Sequence, residues 1–232
     1  MVSVITCTIR DEMIENVFDN YSSQLWKKKE LIIILNKDSI SIEKWKKKAL
    51  DYENVSIIQL PEEKTLGECL NYGIEKSKYD FIAKFDDDDY YSPYYLTEAM
   101  DAFKNNHVHL VGKGSSYMYL PQEKLLFLRK IGNEDKLGRS SLKGGTLVFK
   151  KEIYPKVKFQ PRKAGTDAVF INDCIKKKYK IYATSKYNYV YIRREEQSHT
   201  YKINNDSIKK NSKFIGKTDD FKEISTKEFG IN

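Results

Sequence analysis

The apolar run at residues 81–85 ends in four consecutive aspartates at residues 86–89, and this junction constrains the fold more than any other feature. Phe81, Ala83 and Phe85 alternate with other residues, which indicates a buried strand. The carboxylates then lie where the strand ends, and ligands bind at that edge in open α/β sheets. Crowded carboxylates repel one another, and an all-oxygen site suits Mg²⁺ or Mn²⁺. The sequence therefore predicts a metal site that holds a diphosphate.

Other interpretations of the acidic run are a solvated turn, a calcium loop and a phosphatase nucleophile. A solvated turn needs neither the buried strand before it nor the aromatic pair Tyr90 and Tyr91 after it. A calcium-binding helix-loop-helix fits poorly, because the glycine position counted from Asp86 holds Tyr91 and the final glutamate position holds Thr97. A phosphatase-type aspartyl nucleophile stays open, but the sequence identifies no phosphate-binding lysine and loop to accompany it.

Composition bounds the class of protein. The chain has 232 residues, 40% of them hydrophobic and 13% aromatic, which allows a substantial core in one domain over residues 1–232. Much of the net charge of +8 comes from lysine runs beside predicted helices, at residues 27–29, 46–48 and 176–178. No arginine-rich aromatic stripe accompanies them, which argues against a nucleic-acid partner. Attraction to a membrane surface or to a phosphorylated acceptor stays open.

The cysteines and the apolar segments bear on location. Cys7, Cys69 and Cys174 are far apart and form no Cys-x-x-Cys, which indicates a reducing compartment and argues against structural zinc. The sequence does not begin with a basic stretch and a long apolar core, and no segment approaches a membrane span. We therefore expect a soluble, cytoplasmic protein, with peripheral association at the inner face of the membrane left open.

Hydrophobic periodicity predicts strands that alternate with helices in the first half. The predicted strands cover residues 2–8, 30–35, 55–60 and 81–85, and the predicted helices cover 11–24, 41–52 with Ser41 as cap, 65–76 and 93–105. Later strands are predicted at 110–119, 125–129, 146–149, 180–183 and 187–193, with a helix at 167–178. This order implies an α/β fold with a mostly parallel central sheet flanked by helices, a β-richer second half, and a polar tail over residues 201–232.

Several stretches together resemble one enzyme family. Residues 2–10 resemble a first strand with a Thr-x-Asn-Arg-like turn, and residues 85–89 resemble the motif Leu-Asp-x-Asp-Asp. Residues 66–74, 143–147 and 164–167 are similar to the stretch before the acidic motif, the strand beneath the acceptor and a later Glu-Asp-like motif. In this order and spacing they resemble family 2 glycosyltransferases of the nucleotide-sugar-binding GT-A fold, over roughly residues 1–200.

The resemblance implies an inverting enzyme that moves a sugar from a nucleotide-diphosphate sugar to an acceptor hydroxyl, in cell-surface polysaccharide or glycoconjugate synthesis. It implies Mn²⁺ or Mg²⁺ held mainly by Asp88, with Asp86 near the ribose or the metal's waters and His199 completing the metal shell. Asp167 becomes the expected general base. Residues 1–106 would bind the donor, and residues 107–200 a saccharide or lipid-linked acceptor.

The same match implies the binding residues. The implied donor-binding residues are Thr8, Ile9, Arg10, Asn36, Asp38, Leu66, Gly67, Asn71, Asp86 and Asp87. The implied acceptor-binding residues are Tyr90, Gly144 and Gly145. Residues 36–39 read Asn-Lys-Asp-Ser where the family often has consecutive aspartates, so the base of the nucleotide is not specified.

Each assignment has a structural alternative. Asp167 begins a predicted helix, where an aspartate caps free amides and suits the helix dipole. His199 could be a surface histidine. Other residues could serve turns, close packing or a helix surface instead of ligand binding: Gly67, Asn71, Gly144 and Gly145. The alternative functions are a metal-dependent nucleotidyltransferase or phosphohydrolase, and a non-enzymatic basic binding module.

Overall fold

The computed structural model describes residues 1–138, 141–162, 164–194 and 205–230. These residues form an eight-stranded sheet and a five-stranded sheet, with helices packed on both faces of the larger one. The α/β class predicted from the sequence is confirmed. Within the described ranges, no helix is both long enough and apolar enough to cross a lipid bilayer.

The first four strands of the larger sheet are parallel. They are β1 (Val2–Thr8), β2 (Lys29–Leu35), β3 (Val55–Gln59) and β4 (Phe81–Lys84), in the order β3-β2-β1-β4. Val4 of β1 pairs with Leu31 on one side and Ala83 on the other. Because the strands run the same way, the carboxyl ends of β1, β2 and β4 lie side by side at one edge of the sheet.

The second half of the chain completes the same sheet. It contributes β6 (Leu110–Lys113), β9 (Lys136–Leu137), β10 (Val148–Lys150) and β11 (Ile181–Thr184), in the order β4-β10-β6-β11-β9. Strand β10 is antiparallel to both of its neighbours, whereas β11 is parallel to β6. The segment before β10 is therefore brought directly beside the carboxyl end of β4.

Helices cover both faces of this sheet. They are α1 (Ile14–Ser22), α2 (Ile42–Ala49), α3 (Leu66–Lys76), α4 (Tyr95–Asn106) and α5 (Thr166–Lys176), with 3-10 turns at Asp11–Met13, Gly144–Thr146 and Lys151–Ile153. Phe18, Trp45 and Leu96 place α1, α2 and α4 in one apolar cluster. Leu70 and Phe170 place α3 and α5 in another. The predicted cap of α2 is confirmed, because the Ser41 hydroxyl accepts a hydrogen bond from the Lys44 amide.

The smaller sheet consists of β5 (Tyr90–Tyr91), β7 (Ser116–Leu120), β8 (Leu125–Arg129), β12 (Tyr189–Ile192) and β13 (Ser212–Lys217), in the order β13-β8-β7-β12-β5. The single strand predicted at 110–119 is wrong, because the chain leaves β6 for β7 at residues 114–115. A side chain on Gly114 would clash with the carbonyl oxygen of Asn133. Glycine thus permits the close approach at which the chain passes from one sheet to the other.

The C-terminal residues contain regular structure where the sequence predicted only a polar tail. They form α6 (Asn205–Lys210), β13 and α7 (Lys222–Ser225). Strand β13 covers the edge of β8, an edge that would otherwise expose unpaired backbone groups. Phe221 then packs edge-on against Tyr90, with ring centroids 5.3 Å apart. Strand β13 lies at the edge of the sheet and pairs with one strand only. Its sequence therefore shows little of the hydrophobic alternation that predicts a strand.

Gly67 is a packing position, and we expect Gly67→Ala to lower the free energy of unfolding by about 1–3 kcal/mol. A Cβ at Gly67 would clash with the backbone carbonyl oxygen of Gln160. That oxygen is held in place by hydrogen bonds from the Thr166 hydroxyl (2.9 Å) and the Arg162 amide (2.8 Å). Chemical denaturation measures the loss.

Gly216→Ala is the matched control, because nothing lies within 4 Å of a Cβ at Gly216. It should change the free energy of unfolding by less than about 0.5 kcal/mol. Equal effects of the two substitutions would contradict the packing assignment for Gly67.

Candidate active site

The acidic run lies at the carboxyl end of β4, where a tyrosine fixes it against the turn at Gly144–Thr146. The Phe85 amide donates to the carbonyl of Ile5 at 3.0 Å, which extends the pairing of β4 with β1 by one residue. The Tyr91 ring stacks on Phe85 at 3.8 Å. The Tyr91 hydroxyl accepts from the Asp86 amide (2.7 Å) and donates to the carbonyl of Gly145. Tyr91 is fully buried and positions Asp86.

A buried lysine joins two of the predicted site residues. Lys84 Nζ donates to Asp86 Oδ1 at 2.5 Å and lies 3.5 Å from Asp167 Oδ2. It also donates to the carbonyl of Gly144 at 3.3 Å. Burial alone would lower the pKa of the Lys84 ammonium, but Asp167 and Asp86 raise it above its ordinary value. Lys84 is therefore a permanent positive charge between the end of β4 and the start of α5.

Asp167 lies in the first turn of α5 with one carboxylate oxygen unused. Its Oδ1 is buried and accepts no hydrogen bond from the described residues, so Asp167 does not act as a helix cap. Burial raises the pKa of Asp167, Lys84 opposes that rise, and the Asp86 charge adds to it. A carboxylate in this state can accept a proton from a ligand placed against Oδ1.

Two glycines let the carboxylates come this close. A Cβ at Gly144 would clash with the Asp167 carboxylate, and a Cβ at Gly145 would clash with the Asp86 carboxylate. The predicted acceptor-binding residues Gly144 and Gly145 thus lie in direct contact with the carboxylates of Asp167 and Asp86. Larger residues at either position would separate the 3-10 turn from the end of β4.

Asp87 and Asp88 face the end of β1. The Arg10 guanidinium binds both oxygens of Asp87, and its Nη1 lies 2.8 Å from Asp88 Oδ2. The Thr8 hydroxyl also donates to Asp87, at 2.5 Å. The structure therefore brings together the predicted residues Thr8, Arg10, Asp87 and Asp88.

The fourth aspartate, Asp89, is hydrogen-bonded to strand β12 of the smaller sheet. Asp89 accepts from the Tyr189 hydroxyl at 2.5 Å and from the Ile192 amide at 3.0 Å. Asp88 stays closer to the surface of the site. Burial and then the neighbouring Asp87 raise the pKa of Asp88 to about 6, although Arg10 opposes the rise. Burial and the neighbouring carboxylates thus disfavour the ionised form of Asp88 even with Arg10 beside it, and an added cation would favour that form.

Metal binding by Asp86 and Asp88 stays a prediction, and each carboxylate pairs with a cationic side chain here, Asp86 with Lys84 and Asp88 with Arg10. No group of three or more histidine, cysteine, aspartate or glutamate side chains is arranged to hold a metal within the described ranges. His199, predicted to complete the shell, lies outside the described residues. A site with two carboxylates fits Mg²⁺ or Mn²⁺, because such ions keep several waters and take further oxygens from substrate phosphates.

Other predicted donor residues lie near this edge or pack beneath it. The backbone amide of Asn36 donates to the Thr8 carbonyl at 2.8 Å, which places Asn36 beside the end of β1. Asp38 accepts from the Glu62 amide at 3.3 Å, and Ile9 is 54% exposed. Leu66 packs against the apolar cluster of α3 and α5.

Two further predicted residues are occupied by packing. The Asn71 side-chain amide donates to the Phe159 carbonyl (2.8 Å), and its oxygen accepts from the Phe159 amide (3.0 Å). Asn71 is thereby a clamp on the loop before α5 and not a helix-surface residue. Tyr90 packs against Phe221, and Lys222 Nζ lies 5.4 Å from the centre of its ring. Direct contact of Asn71 or Tyr90 with a substrate stays a prediction.

Sequence reasoning missed three residues that support the acidic run. Besides Lys84, these are Asn16 and Asn20 of α1. The Asn16 side chain donates to the carbonyls of Asp87 (2.7 Å) and Asp89 (3.0 Å), and the Asn20 side chain donates to that of Asp89 (2.9 Å). A signal for Lys84 existed, since a lysine inside a buried strand beside aspartates needs a counter-charge.

We expect Lys84→Met to lower the free energy of unfolding by about 2–4 kcal/mol, because two carboxylates would face each other without their shared cation. This expected loss is at the low end of the range for breaking a buried ion pair, because the Asp86 side chain is 36% exposed and water screens its charge. In the double variant with Asp167→Asn, part of the loss should be recovered. Chemical denaturation of wild type, both single variants and the double variant measures the coupling, and an additive cycle would contradict the assignment.

Three comparisons place the chain among known proteins. The family model for Glycosyl transferase family 2 matches residues 3–146. The O-antigen biosynthesis glycosyltransferase WbnJ of Escherichia coli is 31% identical over 162 residues, which cover 66% of this chain and 63% of WbnJ. The chain therefore spans less than two thirds of that relative's length.

Solved structures share the fold at low identity. TarS 1-349 of S. aureus, in complex with UDP-GlcNAc, superposes with a TM-score of 0.64 at 15% identity, covering 86% of this chain and 61% of that one. The mannosyltransferase PcManGT of Pyrobaculum calidifontis, in complex with GDP-Man and Mn²⁺, gives 0.59 at 14% identity over 83% and 56%. These likenesses support the GT-A fold. With a sequence pattern that matches more than half of its length, the chain belongs to glycosyl transferase family 2.

Proposed function

We propose that this protein transfers a sugar from a nucleotide-diphosphate sugar to an acceptor hydroxyl in a single displacement that inverts the anomeric centre. One observation carries the proposal. Lys84 joins Asp86, one member of the proposed metal pair Asp86 and Asp88, to the Asp167 carboxylate, whose Oδ1 has no partner among the described residues. Family membership supports the class of reaction. It also disfavours the basic binding module and the nucleotidyltransferase or phosphohydrolase left open by the sequence.

The residues on the β1 side would receive the donor. Asp86 and Asp88 would hold Mn²⁺ or Mg²⁺, which supplies positive charge for the departing diphosphate. Arg10 adds a guanidinium beside Asp88, where a second cationic group can face phosphate oxygens. Asn36 and Thr8 form the wall of this side at the ends of β2 and β1. The nucleotide's base stays unspecified, because residues 36–39 carry no pair of aspartates.

Asp167 would take the proton from the acceptor hydroxyl. Lys84 holds Oδ2, and Oδ1 accepts no hydrogen bond from the described residues, so Oδ1 is the oxygen that would take the proton once a ligand reaches it. The ammonium favours the ionised carboxylate that a base requires, and burial makes that carboxylate a stronger base than an exposed one. After proton transfer, the Lys84 charge would remain paired with Asp86.

The biological setting is inferred from the E. coli relative and from the cysteines. WbnJ acts in O-antigen biosynthesis, which supports a role in cell-surface polysaccharide or glycoconjugate synthesis. Cys7, Cys69 and Cys174 are unpaired, in keeping with the predicted reducing compartment. Peripheral association with the membrane stays a prediction.

The metal assignment predicts that Asp88→Asn abolishes donor recognition without harming the fold. Apo stability should be unchanged or higher, because the variant removes repulsion from Asp87 and Asp86. Wild type should hydrolyse one member of a sugar-nucleotide panel that includes UDP-GlcNAc and GDP-Man, in a reaction that requires Mn²⁺, and Asp88→Asn should not. Asp51→Asn, at an exposed aspartate, is the control. Full Mn²⁺-dependent hydrolysis by Asp88→Asn would rule the assignment out.

Asp167→Asn should keep donor affinity and lose about 10²- to 10⁴-fold in turnover, the usual cost of removing a general base. Asparagine keeps the shape of the side chain but cannot accept the acceptor's proton. Calorimetry with the donor and a steady-state transfer assay separate binding from turnover. Asp173→Asn on the same helix is the control, since Asp173 pairs only with Lys176 among the described residues. Near-native transfer by Asp167→Asn would mean that another group is the base.

A further inference from the structure

A lysine beside the active site has a buried amine with no hydrogen-bond partner among the described residues. Lys143 Nζ is enclosed and makes no hydrogen bond to any described residue. Burial and then the positive charges of Arg129 and Lys130 lower the pKa of this amine to about 6. A buried amine without a hydrogen-bond partner is costly, whether charged or neutral, and calls for an explanation.

Arg129 and Lys130, at the end of β8, belong to the same cluster. Lys130 Nζ donates to the Ser141 hydroxyl at 2.8 Å, which ties the end of β8 to the segment that carries Lys143. The Arg129 guanidinium lies 5.8 Å from the centre of the Tyr191 ring, and Arg129 forms no ion pair within the described part of the chain. We call Arg129, Lys130 and Lys143 the basic cluster.

A second buried polar atom points to the same place. Ser116 lies directly opposite Arg129 in the antiparallel pairing of β7 with β8, so the two side chains leave the same face of the sheet. The Ser116 hydroxyl is buried and has no hydrogen-bond partner among the described residues. An anion bound by Arg129 would be within reach of a group able to donate to it.

The position of Lys143 connects the basic cluster with the reaction. The next residue, Gly144, contacts the Asp167 carboxylate, and its carbonyl accepts from Lys84. The donor-side residues Arg10 and Thr8 lie instead at the end of β1, against Asp87. The basic cluster is therefore on the side from which the acceptor would approach the proposed base.

We propose that the basic cluster is a subsite for a phosphate group carried by the acceptor, close to the hydroxyl that receives the sugar. The inference rests on the proposed function, because it assigns the Asp167 side of the site to the acceptor. A phosphate group supplies a negative charge for all three side chains and several oxygens that can accept from them. It would restore the charged form of Lys143, which is disfavoured while no anion is present. A neutral saccharide could hydrogen-bond that amine but would supply no counter-charge for its ammonium form.

Calorimetric titration of the full chain with inorganic phosphate tests the subsite. Lys143→Met keeps the length and burial of the side chain and removes the amine, so the free protein should be as stable as wild type or more stable. Its affinity for phosphate should fall on the order of 10- to 100-fold, the cost of losing a charged hydrogen bond. Lys130→Gln, at an exposed position, should weaken phosphate binding without endangering the fold. Lys156→Met, at an exposed lysine elsewhere, should bind phosphate as wild type does.

A second arm separates acceptor phosphate from donor diphosphate. The phosphate titration is repeated with the donor site filled by UDP or GDP, whichever binds wild type in the presence of Mg²⁺. We expect phosphate to bind the filled protein as well as the free one, and Lys143→Met to bind the nucleotide with wild-type affinity. Competition between phosphate and nucleotide, or loss of nucleotide binding in Lys143→Met, would assign the basic cluster to the donor and overturn the proposal.

The remaining outcomes are also decisive. Equal phosphate affinity in wild type and Lys143→Met would overturn the subsite. If neither UDP nor GDP binds wild type while phosphate still distinguishes Lys143→Met from Lys156→Met, the proposed donor chemistry fails and the basic cluster stands as an anion site. The two proposals can therefore fail separately.

Discussion

One buried ammonium group, that of Lys84, determines how the rest of the site can be arranged. It lies 2.5 Å from Asp86 and 3.5 Å from Asp167, carboxylates that would otherwise repel each other at the end of β4 and the start of α5. The Lys84 amide also donates to the carbonyl of Leu147 at 2.8 Å, so the charge is anchored in the sheet itself. The glycines at 144 and 145 leave room for the two carboxylates. Under the proposed function, much of the geometry for proton transfer would exist before a substrate binds, which would reduce the reorganisation that the reaction requires.

The smaller sheet contributes to the site mainly by fixing the acidic run. Asp89 accepts hydrogen bonds from the Tyr189 hydroxyl and the Ile192 amide, so β12 fixes the position of the last aspartate of the run. A buried network ties this sheet to α4 and β6, because Glu98 accepts from Lys113 (2.6 Å) and from Asn188 (2.9 Å). A fully satisfied buried network of this kind favours one arrangement over its alternatives more than it adds net stability. The orientation of Asp86 and Asp88 thus depends on residues about a hundred positions further along the chain.

The sequence predicted local structure well and long-range pairing poorly, and the reason is physical. Strands β1 and β8 were predicted with their observed bounds, and the cap at Ser41 was confirmed, because periodicity and capping depend on neighbouring residues. The meeting of Asp167 with the acidic run came only from the family resemblance. Lys84 was missed because the strand pattern indicates burial but not which distant carboxylate compensates it. The break at Gly114 and the strand β13 were missed for a similar reason, since each depends on a partner far along the chain.

Arg10 shows how the free site can tolerate its crowded carboxylates and still admit a cation under the proposed function. Its guanidinium bridges Asp87 and Asp88, which offsets part of the repulsion that raises the pKa of Asp88. A divalent cation on Asp88 would compete with Arg10 for the same carboxylate. Arg10 binds Asp87 through two nitrogens, so it could release Asp88 and keep its firmer partner. The released edge of the guanidinium would then face the phosphates that accompany the cation. Binding of the donor would in this way exchange one cation on Asp88 for another, without leaving a buried charge unpaired.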